Sequence, residues 1–165
     1  MRALFALILI ASFGCGPDPL GPSFGQRVTH FGACGDVIFF AVDADDEVMV
    51  TFRARGLVVS AQEGGTETET VFQLPADGVD LIIEQGSRIS DATCDDVIQN
   101  GGPRVERTWT AASGTATVRI RPNEGSSGGR GDLVLEHVVF TSDSEDDVGL
   151  ERLEWLDVSV GWLPG

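Results

Sequence analysis

Lysine and tyrosine are absent from this chain, so its permanently basic side chains are all arginines, 11 of them against 26 aspartates and glutamates, for a net charge of −15. That balance repels phosphate backbones and anionic surfaces and excludes nucleic-acid binding as a main role. Long hydrophobic runs are nearly absent too. Residues 3–11 form one unbroken apolar stretch, far short of the roughly 20 residues that span a bilayer. Dinucleotide-binding and phosphate-loop glycine patterns are missing, and no repeat of fixed period occurs. Histidine is scarce: His30 and His137 are the whole supply. Nothing in the sequence sets a second base, a thiolate or two further ligands beside either, so zinc has no support. His137 keeps register with Leu133, Leu135 and Val139 and reads as a partly buried strand residue.

The one long apolar run lies at the start. Arg2 supplies a short positive region, residues 3–11 the apolar segment of a signal peptide, and Ser12-Phe13-Gly14 leads into Cys15. Gly14 before Cys15 resembles the lipobox of bacterial lipoproteins, with Ser12 and Phe13 departing from its usual residues. The resemblance implies cleavage after residue 14 and lipidation of Cys15 by diacylglycerol and an amide-linked chain such as palmitate. Gly16, where an aspartate would retain the protein at the inner membrane, implies the outer membrane. The alternative is an ordinary secretory signal cut near Ala11 or Gly14. The mature domain resembles acidic lipoproteins of Gram-negative bacteria, a likeness that carries no activity with it.

Removing residues 1–14 of 165 leaves 151, enough for one domain with a real core. Residues 15–25 read as a tether stiffened by Pro17, Pro19 and Pro22, roughly 30 Å long in polyproline II conformation. Residues 26–165 are the domain. Once Cys15 is modified, Cys34 and Cys94 remain; in an exported chain two cysteines suggest one disulfide, with two buried thiols or a metal pair as alternatives.

Within the domain the pattern is β. Residues 36–42 are apolar on both faces, as in a central strand; residues 47–55 alternate and form a hairpin with them. Further strands are expected at 57–62, 68–74, 79–84, 104–112, 115–121, 132–142 and 150–163, with Ser113-Gly114 turning a second hairpin. Residues 90–99, capped by Ser90 or Asp91 and stopped by Asn100-Gly-Gly-Pro103, predict the one short helix. About nine strands predict an all-β, antiparallel β-sandwich of Ig-like or jelly-roll type.

Candidate sites are weak. Gly125-Ser-Ser-Gly-Gly129 matches Gly-x-Ser-x-Gly with Asp132 and His137 following in hydrolase order, but the chemistry needs a strand-to-helix elbow, and these residues lie in a Gly/Ser loop. Arg130-Gly131-Asp132 spells an integrin-type tripeptide. Asp43, Asp45, Asp46 and Glu47 form one acidic turn and Asp143, Glu145, Asp146 and Asp147 another, with Asp91, Asp95 and Asp96 a third group. Calcium takes six to eight oxygens and is the one ion these acids suit; no other cofactor is implied. Trp109, Trp155 and Trp162 could stack on a sugar, or pack in the core. No catalytic pair is nominated. The expectation is a non-enzymatic, outer-membrane-anchored lipoprotein with an envelope-structural or partner-recognition role, its partners the membrane through its lipid and an envelope or extracellular protein or glycan. The alternative is a calcium-assisted carbohydrate- or ligand-binding module.

Overall fold

Apolar residues alternate along most of the chain and set its strands, which bury one face each. The computed structural model describes residues 27–94, 101–125 and 128–161. Cys15, the tether, Asp95, Asp96, Ser126, Ser127 and Trp162 lie outside them. The strands are β1 (Val28–Cys34), β2 (Ile38–Asp43), β3 (Val48–Ala54), β4 (Thr68–Leu74), β5 (Val79–Ser87), β6 (Arg104–Pro122), β7 (Gly129–Thr141) and β8 (Val148–Val160), with helix α1 (Leu57–Gly64) between β3 and β4. All pairings are antiparallel. The order β1-β2-β3-β5-β6-β7-β8 curls almost into a closed barrel, with β4 paired to β6 beside it. The all-β class holds. In place of nine strands in a two-sheet sandwich, eight strands of the described residues share one sheet.

Barrel closure has a parity problem. Six antiparallel steps separate β1 from β8, so the two strands run in the same direction where they meet. No ladder joins them among the described residues. Gly161 N donates to Gly35 O at 2.8 Å at one end of the seam. Further along, Trp155 of β8 is fully buried and its Nε1 donates to Phe40 O of β2 at 2.7 Å. Phe31 of β1 sits edge-on to that indole, ring centroids 5.9 Å apart. One backbone hydrogen bond and one aromatic side chain thus do the joining that a ladder does elsewhere.

Three local expectations are corrected. Residues 57–64 are helical, although Val58 and Val59 favour a strand by propensity. The helix is capped from a distance: Asp36 accepts Gly56 N at 2.6 Å and Val58 N at 2.9 Å. Gly56 and Gly65 bracket it in left-handed conformation, and Val58 and Ala61, three apart, face the core. Residues 104–122 form one strand and do not turn at Ser113-Gly114. Its first half pairs β5 and its second half β4, while bulges at positions 111–115 let it bend against β7. Gly114, at φ 122, passes so close to β7 that a Cβ would lie 2.7 Å from Val138 Cα. Finally, residues 90–94 form turns instead of the start of a helix; residues 95–99 lie outside the described residues.

Phe39, Phe52, Phe140, Ile83, Ile120, Leu133, Leu135 and Trp155 fill the interior. A smaller cluster lies outside the wall. Val42, Met49 and Ile89 are buried there, with Phe40 against them. Residues 88–94 cover it, and the Cys34–Cys94 disulfide pins that cover to the end of β1. This explains why residues 36–42 are apolar on both faces: each face has its own core.

Candidate functional site

Strand register gathers the acidic turns at one end of the barrel. Val28 of β1 pairs Asp43, Val48 pairs Gln85, Ser87 pairs Arg104, and Phe140 pairs Val148. The β2–β3 turn, the segment after β5 and the β7–β8 turn therefore lie at the same end, and residue 27, which follows the tether, enters there too. Asp43, Asp45, Asp46, Glu47, Asp91, Asp143, Glu145, Asp146 and Asp147 all belong to that end.

Four of these nine carboxylates, those of Asp43, Asp46, Asp91 and Glu145, are engaged by the fold. Asp43 is 2% exposed; its Oδ1 accepts Glu47 N at 2.9 Å and Val48 N at 3.1 Å, closing the β2–β3 turn. Asp46, at φ 56, accepts Ser90 N at 3.0 Å and so fastens the covering segment to the turn. Arg88 pairs with Asp91. In the other turn Glu145 pairs with Arg107 at 3.3 Å, and Asp146 offers its backbone carbonyl to Trp109 Nε1 at 3.1 Å. Among the described residues no three carboxylate, histidine or cysteine side chains come together to hold a metal ion. The calcium ligands expected from the turns are brought to one end but not into one shell.

The tryptophans pack inward. Trp109 and Trp155 are 2% and 0% exposed, and both indole N–H groups are used on backbone carbonyls, so neither presents a face to a sugar. Trp162 lies outside the described residues.

Strand β7 holds the residues of the integrin-type tripeptide and two of the three in hydrolase order, Asp132 and His137. Arg130-Gly131-Asp132 lies inside that strand, all three paired with β6 and the first two also with β8, not in a loop. Asp132 receives two hydrogen bonds from Arg121, at 2.5 and 2.9 Å, and one from Asp157 N at 2.7 Å. Arg130 donates to Asp157 at 3.0 and 2.9 Å. His137 is not partly buried: at φ 51 it sits in a bulge, 81% exposed, with Nε2 3.8 Å from Glu151. The bulge turns Val138 and Phe140 inward instead. The hydrogen bonds from Arg121 hold the Asp132 carboxyl below its ordinary range, and those from Arg130 do the same for Asp157. Arg121 is raised by the same contact with Asp132. With Arg119, which binds Glu69 at 2.6 Å and Glu67 at 3.3 Å, these residues form an ion-pair ladder across the outer face of β4, β6, β7 and β8.

Two concave surfaces adjoin the acidic end. A polar groove of about 650 Å³ runs between Val105–Thr110 of β6 and Thr141–Ser144. A cleft of about 430 Å³ lies between the outer face of β1–β2 and the covering segment, with Phe40 and Val42 as its apolar floor and Asp43 and Asp46 in its wall. Sequence reading missed this cleft. Its signal was the two-faced apolarity of residues 36–42 together with a cysteine 60 residues from Cys34, which implies a cover over the outer face. Comparison with protein-family models, with curated proteins and with solved structures gives no match.

Proposed function

We propose that the chain is an exported lipoprotein, attached to the outer membrane through Cys15, whose barrel acts by recognition and not by catalysis. The Cys34–Cys94 disulfide carries the reading: such bonds persist in oxidising compartments outside the cytoplasm. Two further observations support it. The chain enters the barrel at β1, at the acidic end, so a membrane-anchored tether would bring that end toward the envelope. Asp132, which follows the serine of the hydrolase-like motif, is held by Arg121. Burial of Trp109 and Trp155 takes those two side chains out of the calcium-assisted carbohydrate reading. The test is incorporation of labelled palmitate in growing cells. Label that enters the wild-type chain and is lost in Cys15→Ala supports the anchor; label that persists in Cys15→Ala refutes it.

A further inference from the structure

We infer that the cleft between β1–β2 and residues 88–94 binds a small organic cation, an amine with an apolar body. At about 430 Å³ it lies within the range of ligand pockets. Its floor is apolar, from Phe40 and Val42, and its wall carries the Asp43 and Asp46 carboxylates, with His30 and Thr93 at the rim. Asp43 is a charge sunk into that wall at 2% exposure. Its Oδ1 serves two backbone N–H groups and its Oδ2 is ion-paired with Arg27 Nη1 at 3.8 Å, so the half-buried Asp46 is the carboxylate open to the cleft. A half-buried carboxylate at the edge of an apolar floor suits an ammonium group whose hydrocarbon part lies on that floor.

The wall is built in advance. Asp46 fastens it through Ser90 N at 3.0 Å, and its backbone carbonyl accepts Ile89 N at 3.2 Å. Thr93 Oγ1 donates to Met49 Sδ at 3.4 Å, and Cys94 is bonded to Cys34. A wall fixed by these bonds needs little ordering when a ligand enters. The surrounding end of the barrel is acidic, which raises the local concentration of cations and opposes anions.

The experiment titrates the full-length oxidised protein with 2-phenylethylamine and, separately, with phenylacetate, by calorimetry and by methyl NMR of Met49 and Val42. Saturable one-to-one binding of the amine, with none of the acid, is expected. Asp46→Asn is the key variant: asparagine tolerates φ 56 and still accepts Ser90 N, so only the charge is lost. It should weaken the amine about tenfold while the Trp155 indole signal keeps its position. Asp43→Asn, which keeps its oxygen for Glu47 N and Val48 N, should do the same. Equal binding of amine and acid, no saturable amine binding, or unchanged affinity in both variants would overturn the inference. The outcome is independent of the anchor, which the palmitate experiment tests alone.

Discussion

Removing the disulfide with the pair Cys34→Ser and Cys94→Ser should cost the domain about 4 kcal/mol. The bridge closes a loop of 60 residues, and the loop-closure entropy restored to the unfolded chain has that size at 25 °C. Stabilities of single domains are about 5–15 kcal/mol, so the variant should still fold, with a melting temperature lower by roughly 10–15 °C for a domain of this length. The loss should also be uneven. Residues 88–94 cover Val42 and Met49 from outside the barrel, and without Cys94 the bonds of Ile89 N and Ser90 N to Asp46, the Thr93 contact with Met49 and the packing of Ile89 retain them among the described residues. Urea unfolding gives the total; hydrogen exchange locates it. Ile89 and Ser90 amides should exchange faster at urea concentrations where β6 and β7 amides remain protected. A loss below about 1 kcal/mol, or uniform acceleration of all amides, would refute the view that the disulfide clamps a cover onto an already formed barrel.

Trp155→Phe keeps the volume roughly but removes the indole donor to Phe40 O; about 2–3 kcal/mol of stability should be lost in urea titration. Gly114→Ala should cost about 2–4 kcal/mol, since φ 122 and Val138 Cα at 2.7 Å both exclude a methyl group, whereas Gly149→Ala, with open space around it, should change stability by less than about 0.5 kcal/mol. Asp132 has a carboxyl pKa lowered by Arg121, so its contribution is present above the unfolded carboxylate pKa of about 3.9 and is lost as pH falls through the lower folded value. Asp132→Asn should therefore cost about 1 kcal/mol at pH 6, discounted for partial exposure, and progressively less below pH 4, as measured by urea midpoints across that range.

Much of the sheet was legible because alternation writes burial directly into sequence. Strands β2, β3, β4, β5 and β7 fall where alternating or doubly apolar runs predict them. Two of the misses share a physical cause, which is that the deciding partner is remote. Helix α1 depends on Asp36, some 20 residues earlier, for its cap. Gly114 looks like a turn residue locally but serves a close approach to Val138. His137 follows the strand pattern until its φ of 51 reverses it. The acidic turns were visible as composition; that register would bring them to one end, and that backbone N–H groups would occupy Asp43 and Asp46, could not be seen from spacing. The disulfide was legible because cysteine is so scarce that only one pair remains once Cys15 is set aside.

The anchor is tested most directly by mass spectrometry of the protein recovered from the outer-membrane fraction. The account predicts a polypeptide beginning at Cys15, heavier than its sequence by a diacylglycerol and one amide-linked acyl chain. A chain of unmodified mass, beginning at any residue, would contradict it.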